Sequence, residues 1–360
     1  PDYSTVDFQK ERGVEVMQPI KVLIVEDSIV FRELLVQNLS KDPAIRVVAT
    51  AKDPFEARDL ILLHKPDVMT LDVELPRMSG IEFLRKLIPQ YPLPVVVISA
   101  LSDKVFDAMN AGAVDFVAKP AVSNRQQLED FIKNELLTKI KIASTARISN
   151  IKKTVMMQQE QQQSLSVKRS NLIVAIGAST GGTEAIYSVV KDFGTDIPGI
   201  VCVQHMPPKF TEMYAKRLND QCRIQVKEAE TGDRVIPGHM LIAPGGDRHM
   251  RLIKVNGAYQ VEVKAGPRVN GHCPSVEVLF ESVAKAAGKD AVGIILTGMG
   301  GDGGKGLLSM RQAGAKTIGQ DESTCVVYGM PKVAYDLGAV MYQEKLNDIA
   351  GRTYALLNNM

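Results

Sequence analysis

Short apolar runs alternate with amphipathic segments along the first half of the chain. The first run, IKVLIV at residues 20–25, ends at two acidic residues, and a helical pattern follows it. Four more runs, IRVVATA, PDVMTLDV, LPVVVISAL and VDFVAKP, are each followed by a helical pattern. Strand-length apolar runs that alternate with helical patterns are typical of parallel β/α units. The pattern predicts a doubly wound parallel sheet over residues 19–140.

The β/α rhythm is interrupted by a polar segment and then resumes. Residues 141–170 are rich in Gln and Ser without a consistent apolar face, which predicts a solvated linker. Beyond it, NLIVAIG, PGIVCVQHM, GHMLIAPG, AVGIILTG and AKTIGQ are strand-like. We predict a second, Rossmann-like α/β domain over residues 171–360, with a β-hairpin insert that turns at Asn256–Gly257. Residues 1–18 lack apolar periodicity and form an extension, for which disorder is one interpretation.

Composition limits the classes of partner. The 360 residues carry a net charge of +2, with 45% hydrophobic and 23% charged residues, as in ordinary globular proteins. This charge is too small for the basic field that nucleic-acid binding requires, so no nucleic acid is expected. No apolar run approaches the ~18 residues of a membrane span, so no membrane insertion is expected. The cysteines show no metal-type pairing and are interpreted as reduced thiols of a cytoplasmic protein: Cys202, Cys222, Cys273 and Cys325.

Three strands of the predicted second sheet lead into residues with catalytic chemistry. NLIVAIG leads into Ser179, PGIVCVQ into His205, and GIILTGMGG into Asp302. All strands of an open parallel sheet end at one edge, so these residues are expected to meet there. A serine hydroxyl needs a base, an imidazole is the usual base near neutral pH, and a carboxylate orients that imidazole.

The local pattern around the serine supports the same chemistry. Gly177, Ser179 and Gly181 form a G-x-S-x-G sequence between strand and helix, which is typical of a nucleophile elbow. A helix that begins just after Ser179 would also point free N–H groups at a developing oxyanion. The sequence therefore favours a serine enzyme with a Ser–His–Asp triad.

Each of the three residues also has a structural interpretation. A glycine-flanked serine can cradle a phosphate, a histidine after a strand is often only hydrogen-bonded, and an aspartate can stabilise a turn. The nucleotide motifs fail on required residues, because Ser179 stands where a dinucleotide fingerprint needs glycine and GMGGDGGKG departs from a P-loop at two positions. The remaining histidines are weaker bases by position, since His64 belongs to the first half and the others do not directly follow a strong apolar strand: His239, His249 and His272.

The first predicted sheet presents acidic residues at its own edge. Glu26 and Asp27 end the first strand, and Asp72 ends the third. Ser99 ends the fourth strand, and Lys119 follows the fifth. Converging carboxylates repel each other unless a hard cation lies among them, and Mg²⁺ prefers such oxygen ligands. A carboxylate can also accept a phosphoryl group whose oxygens a metal and a lysine neutralise. Helix capping is the alternative for Asp27 alone.

Residues 19–140 resemble a response-regulator receiver domain, which has a flavodoxin-like fold, through VLIVEDS, TLDVELPRMSG, VVVISA and DFVAKP. The resemblance implies that Asp72 accepts the phosphoryl group and that Glu26 and Asp27 bind Mg²⁺. It also implies that Glu74 adds a backbone carbonyl to the metal. The switch and phosphate-binding partners that it implies are Ser99, Phe116 and Lys119.

Residues 171–358 resemble the catalytic domain of the chemotaxis protein-glutamate methylesterase family. The motifs that carry the resemblance are GASTGG, QHMP, IAPGG, HCPSVEVLF and TGMGGDG. The resemblance implies that Ser179 is the nucleophile, His205 the base and Asp302 the orienting acid. Backbone N–H groups of Thr180 and Met299 would hold the oxyanion, and the esterase chemistry would need no cofactor.

Together the two resemblances imply a phosphorylation-activated hydrolase of sensory adaptation. It would remove methyl esters from glutamates, and deamidate glutamines, of chemoreceptors, with a chemotaxis histidine kinase as phosphodonor. A receiver that covers the catalytic edge would exclude a receptor helix until it is phosphorylated. Two other classes stay open: a non-catalytic response regulator whose second domain binds a protein or ligand and, more weakly, a transcription factor, for which no basic recognition helix follows the linker.

Overall fold

Two parallel β-sheets, one in each half of the chain, organise the structure. The computed structural model describes residues 18–100, 104–120, 125–147 and 171–360. Every strand pairing inside the two sheets is parallel, which confirms the predicted class of two α/β domains. Nearly all of the predicted extension and most of the predicted linker lie outside the described residues, and the exact domain boundaries stay predictions.

The first sheet has five strands that are apolar because helices cover both of its faces. The strands are β1 Ile20–Val25, β2 Ile45–Ala51, β3 Val68–Asp72, β4 Val95–Ser99 and β5 Asp115–Ala118. Every residue of β3 and β4 is buried. The strand order is β2-β1-β3-β4-β5, so the order reverses beside β1 and β3. Ligand sites of such sheets form beyond the carboxyl ends of strands at this point.

The helices of the first half begin where the sequence supplies capping side chains. They are α1 Ile29–Leu39, α2 Pro54–His64, α3 Gly80–Gln90, α4 Lys104–Asn110, α5 Arg125–Phe131 and α6 Leu137–Ala143. The side chains of Ser28, Asp53 and Ser79 accept hydrogen bonds from the first turns of α1, α2 and α3. A π-helical turn, Ile132–Leu136, joins α5 to α6. The continuous helical segment therefore extends past the predicted domain boundary at residue 140.

The second sheet has seven strands in the order β14-β13-β12-β6-β7-β9-β8. These strands are β6 Ile173–Ala178, β7 Gly199–Gln204, β8 Gln225–Glu228, β9 His239–Ile242, β12 Ala291–Ile295, β13 Lys316–Gln320 and β14 Tyr342–Glu344. The three strands that precede Ser179, His205 and Asp302 are β6, β7 and β12. Because β6 pairs with both β7 and β12, the three candidate residues follow adjacent strands at one edge.

Six helices follow the strands of the second half. They are α7 Gly182–Val190, α8 Phe210–Gln221, α9 Val276–Ala286, α10 Gly304–Gln312, α11 Met330–Asp336 and α12 Ile349–Asn358. Short 3₁₀ turns lie at Gly288–Asp290 and Leu346–Asp348. Within the described ranges, no helix combines the length and apolar character that crossing a bilayer demands.

The predicted β-hairpin is present as an antiparallel pair outside the main sheet. Its strands are β10 Arg248–Val255 and β11 Ala258–Ala265. Asn256 and Gly257 form the turn with φ angles of 50° and 82°, the left-handed conformation that a type I′ turn requires at both positions. The backbone N–H of Leu252 donates to Ser282 Oγ at 2.8 Å, which fixes the hairpin against α9.

The two domains contact each other through aromatic side chains. The ring centroids of Phe116 in β5 and Phe210 in α8 are 4.8 Å apart, and those of Phe106 in α4 and Tyr214 in α8 are 5.5 Å apart. Arg217 lies over the Phe106 ring and its Nη1 is 3.5 Å from Asp107 Oδ1. Elements α4 and β5 of the first domain therefore pack directly against α8, near the carboxyl edge of the second sheet.

Substitution of Phe280 by alanine is expected to destabilise the second domain. Phe280 in α9 is fully buried, and its ring fills the space beside Gly177. Removal of a buried aromatic ring leaves a cavity and lowers the free energy of unfolding by about 3–5 kcal/mol. Urea unfolding measures the effect. The exposed Val255→Ala is the control, and it should change the free energy of unfolding by less than about 0.5 kcal/mol; an equal effect of both variants would contradict this packing.

Candidate active site

Ser179 lies on the tight turn between β6 and α7. Its backbone N–H donates to Thr297 O at 3.0 Å, and its carbonyl accepts from Gly182 N at 2.7 Å. Gly181 has a φ of 75°, and a Cβ at this position would come within 2.7 Å of Val326, so only glycine fits the turn. The predicted nucleophile therefore lies between the end of β6 and the start of α7, and hydrogen bonds at both its backbone N–H and its carbonyl fix its backbone.

His205 follows β7 and lies beside this turn. Its backbone N–H donates to Ala178 O at 3.3 Å, and its side-chain Nε2 is 2.9 Å from Asp302 Oδ2. The other ring nitrogen, Nδ1, is buried and has no hydrogen-bond partner among the described residues, so the Ser179 hydroxyl does not bond to it in this arrangement. Hydrogen bonds between catalytic groups often form only once a substrate is bound. The geometry leaves Nδ1 as the atom that can act as a base.

The carboxylate of Asp302 is buried and enclosed by donors. It accepts from Asn270 Nδ2 at 2.9 Å, Ser275 Oγ at 2.7 Å and the backbone N–H of Val276 at 2.7 Å, in addition to His205. Burial alone would raise the pKa of Asp302, but the hydrogen bond and charge of His205 and the bonds from Asn270 and Ser275 lower this pKa to about 2. Asp302 is therefore ionised at neutral pH and anchors the Nε2 atom of His205.

Thr180 and Met299 flank the serine on its two sides. Thr180 follows Ser179 directly, and its carbonyl accepts a hydrogen bond from Thr297 Oγ1 at 3.1 Å. Met299 follows Gly298, where a Cβ would lie 2.7 Å from Ser179 Cβ. This close approach brings the backbone of the 298–299 segment against the serine. The two residues predicted as oxyanion donors are therefore neighbours of the predicted nucleophile.

The structure also brings residues to the site that sequence reasoning missed. The ring of His272 is stacked on that of His205, with centroids 3.8 Å apart and planes inclined by 8°. His272, Asn270 and Ser275 come from the loop between β11 and α9, which ends no strand of the sheet. A signal was available, because Asn270–Gly271 repeats the Asn-Gly turn pattern that marked the hairpin.

The acidic residues of the first sheet also converge. Carboxylate oxygens of Glu26, Asp27 and Asp72 lie within 4.8 Å of one another. Lys119 Nζ is 3.0 Å from both carboxylate oxygens of Glu26 and 2.6 Å from Asp72 Oδ2. Burial, and then the charge of Asp72, raise the pKa of Glu26 to about 7 despite this lysine. Glu26 and Asp72 are buried and Asp27 is exposed. A carboxylate cluster that one lysine only partly neutralises has the oxygen donors and the charge that suit a divalent cation.

The remaining predicted receiver residues surround this cluster. The backbone N–H of Glu74 donates to Asp72 Oδ1 at 2.9 Å. Ser99 is buried, and its carbonyl accepts from the backbone N–H of Lys119 at 2.6 Å. Phe116 is also buried, and its ring faces Phe210 of the second domain rather than solvent. The predicted switch aromatic is thus part of the domain interface.

A side chain of the first domain reaches the turn that carries Ser179 directly. Asp115 Oδ2 accepts a hydrogen bond from Thr180 Oγ1 at 2.9 Å, and Asp115 Oδ1 accepts from Lys139 Nζ and from the backbone N–H of Phe116. Arg147 adds a backbone bond to Val326 O at 3.0 Å. The first domain therefore lies over the edge of the second sheet at which Ser179 stands.

Fold and site together define a receiver-type domain joined to an α/β domain with the constellation of a serine hydrolase. The family model described as response regulator receiver domain matches residues 22–133, and the one described as CheB methylesterase matches residues 174–353. A protein named protein-glutamate methylesterase/protein-glutamine glutaminase 2 from Syntrophomonas wolfei is 60% identical over 96% of this chain and 99% of its own length.

Other relatives agree with this assignment. A protein-glutamate methylesterase/protein-glutamine glutaminase from Escherichia coli O157:H7 is 45% identical over 95% of this chain and 98% of its own length. The crystal structure of the Thermotoga maritima CheB methylesterase catalytic domain matches with a TM-score of 0.51 and 37% identity, over 52% of this chain and all of that one. The chain belongs to the protein-glutamate methylesterase/protein-glutamine glutaminase family, and the predictions of a hydrolase and of a receiver domain are confirmed. Receiver membership also implies a divalent-metal site for phosphorylation.

Substitution of Asp302 by asparagine is expected to impair ester hydrolysis strongly while the chain stays folded. An amide cannot hold the His205 tautomer in which Nδ1 is free, and loss of the corresponding carboxylate in a serine enzyme lowers kcat by about 10⁴-fold. Steady-state hydrolysis measures the change, with the thermal unfolding midpoint as the fold check. The control is Asp336→Asn, whose carboxylate is exposed and pairs with Lys332. Unchanged kcat in Asp302→Asn would contradict the orienting role.

Proposed function

We propose that this chain hydrolyses glutamyl methyl esters of chemoreceptors through Ser179, His205 and Asp302, and that its receiver domain gates the reaction. The observation that carries the proposal is the enclosed Asp302 carboxylate bonded to His205, whose Nδ1 has no partner among the described residues and whose backbone N–H bonds to Ala178 O, next to Ser179. Receptors enter as the substrate because the relatives of this chain are named for activity on protein glutamate and glutamine.

The chemistry follows from the roles of these three side chains. His205 Nδ1 takes the proton of the Ser179 hydroxyl, whose oxygen attacks the ester carbonyl carbon. The tetrahedral oxyanion accepts hydrogen bonds from the backbone N–H groups of Thr180 and Met299, and one such donor contributes about 10²–10³-fold in rate. His205 returns the proton to the methoxy group, and methanol leaves. Water, activated by His205, then cleaves the acyl-serine to free the glutamate. A glutamine amide reacts in the same way and releases ammonia.

The first domain is proposed to take a phosphoryl group on Asp72 from a chemotaxis histidine kinase. Glu26, Asp27, Asp72 and the backbone carbonyl of Glu74 would hold Mg²⁺, which neutralises phosphoryl oxygens when bound. Lys119 lies within 2.6 Å of the Asp72 carboxylate and can pair with the new phosphate oxygens. Ser99, the last residue of β4 at the same edge, would hydrogen-bond the phosphate.

Gating is proposed to act through the domain interface. Asp115 bonds to Thr180 next to the nucleophile, and Phe116 packs on Phe210, so the receiver covers the catalytic edge. A phosphoryl group adds about −1.5 to −2 charges at Asp72, and this charge would draw Ser99 and Lys119 toward it. A shift of β5 that follows these movements would loosen both contacts and uncover Ser179.

The same proposal covers the organisation and setting of the chain. Residues 1–18 would be an extension, 19–140 the receiver domain, 141–170 the linker and 171–360 the catalytic domain. We expect the protein to act in the cytoplasm, on the receptor segments found there, without a nucleic-acid partner. No disulfide joins the four cysteines, all of which lie among the described residues, and this agrees with a reducing compartment.

Substitution of Ser179 by alanine is expected to abolish methanol release from methylated receptors and leave the fold intact. Loss of the nucleophile in a serine hydrolase lowers kcat by roughly 10⁶-fold. A serine-directed fluorophosphonate should label the wild-type chain, treated with acetyl phosphate and Mg²⁺, and leave the variant unlabelled. Thr183→Ala, in helix α7 just after the turn, controls for loss of a hydroxyl. Turnover by Ser179→Ala comparable to that of the wild type would remove serine from the mechanism.

Weakening the domain interface is expected to raise activity in the absence of phosphorylation. The 171–360 fragment should exceed the unphosphorylated full chain by about 5- to 150-fold, the usual range of coupling between sites. In the full chain, Arg217→Ala should give a smaller, few-fold rise, because it removes a contact to Asp107 and Phe106 worth about 1 kcal/mol. Lys227→Ala, at a surface ion pair remote from the interface, is the control. A full chain already as active as the fragment would reject gating by the receiver.

A further inference from the structure

The base of the proposed triad is held by hydrogen bonding at one atom of its ring. His205 Nε2 bonds to Asp302, while Nδ1 has no hydrogen-bond partner among the described residues. In any histidine, Nε2 lies near the Cβ–Cγ axis about which the imidazole turns. A bond at Nε2 therefore restrains the tilt of the ring weakly, and a tilted ring aims Nδ1 away from Ser179. Another contact has to set the plane of the ring.

The ring of His272 supplies that contact. It lies 3.8 Å from the His205 ring, centroid to centroid, and the two planes are inclined by only 8°. A flat partner at van der Waals distance resists rotation of the ring about Cβ–Cγ, because any tilt drives one edge of His205 into it. The stacked face of His205 is also closed to water.

A tight backbone turn positions the His272 side chain. Val269 and His272 exchange two backbone hydrogen bonds, each of 2.9 Å, around a turn in which Asn270 and Gly271 have φ angles of 52° and 84°. This is the geometry of a two-residue type I′ turn. Asn270 in the turn donates to Asp302 at 2.9 Å. One short turn thus contacts both members of the pair: Asn270, in the turn, bonds to Asp302, and His272, just after it, stacks on His205.

We propose that His272 is a positioning residue of the hydrolysis: its ring holds the His205 imidazole in the plane that presents Nδ1 to Ser179. The inference rests on the proposed triad. His272 takes no part in the transfer of protons or acyl groups, because the serine proton passes to His205 and from there to the departing methanol. His272 contributes in two ways. Its ring orients His205, and it presents an uncharged face to the His205 ring when that ring becomes an imidazolium.

The charges around His272 agree with this role. Burial, followed by the neighbouring His205, lowers the pKa of His272 to about 4, so the ring is neutral at pH 7. The other charged groups that act on it are Asp302, Arg268 of the same loop and Lys139 from α6 of the receiver. A neutral aromatic face attracts an adjacent cation, whereas a second cation would repel it. Stacking can therefore persist while His205 is protonated.

Methanol release by the full chain, activated with acetyl phosphate and Mg²⁺, tests the proposal from about pH 5 to pH 9. His272→Ala should lower kcat by about 10- to 100-fold with little change in KM, because a misplaced base slows the chemical step. His272→Phe keeps a flat uncharged ring and should restore kcat to within about threefold of the wild type. His272→Leu fills a similar volume without a flat face and should resemble the alanine variant.

A fourth variant tests the pH dependence of kcat/KM, which would not change if His272 had a purely structural role. His272→Lys places a cation against the base, so the midpoint of the rising limb of kcat/KM should move to lower pH. In His272→Phe this midpoint should stay in place. His239→Ala, in β9 with its ring bonded to Pro237 O, controls for the loss of a histidine elsewhere. Thermal unfolding midpoints identify variants that fail to fold.

The outcomes separate this inference from the proposed function. Wild-type kcat in His272→Leu would overturn the positioning role, as would a folded His272→Phe that is as impaired as His272→Leu. If His272→Ala does not fold, the comparison of phenylalanine with leucine still decides the question. A wild-type chain that releases no methanol would instead refute the proposed function, whatever the variants do.

Discussion

The enclosure of the Asp302 carboxylate is the interaction on which the catalytic half depends. A buried charge is tolerated only when hydrogen bonds replace its water, and here Asn270, Ser275, Val276 and His205 do so. Those donors come from a loop, from the first turn of α9 and from the end of β7. The carboxylate therefore ties three separate parts of the chain to the loop after β12. Without the carboxylate, these segments would lose their common partner, and His205 would lose the hydrogen bond at Nε2.

The sequence was sufficient for the parts of the site that follow strands. Ser179, His205 and Asp302 could be placed together because apolar runs identify parallel strands, and parallel strands end at one edge. The same rule brought Glu26, Asp27 and Asp72 together. Their geometry agrees with these expectations, while the catalytic and phosphorylation roles stay predictions. The hairpin turn could be predicted because its two residues adopt left-handed backbone conformations that Asn and Gly tolerate.

The sequence was not sufficient to place residues whose positions depend on contacts between distant parts of the chain. Asn270 and His272 reach the site through a loop that follows no strand of the seven-stranded sheet. The position of Asn270 depends on a hydrogen bond to Asp302, which comes later in the chain, and that of His272 on stacking with His205, which comes earlier. The contact of Asp115 with Thr180 depends on how two domains dock, which no local pattern encodes. Periodicity reports which face of an element is buried, and it carries no information about which partner buries it.

The short strand β5 joins the two active regions of the molecule. Lys119, just after its carboxyl end, bonds to Asp72, and Asp115 at its first position bonds to Thr180. Free energy of coupling is reciprocal. If phosphorylation weakens the hold of Asp115 on the nucleophile turn, then a receptor segment that displaces the receiver must favour the phosphorylated state by an equal amount. Substrate would thus prolong its own access, and the enzyme would respond to receptor abundance as well as to the kinase.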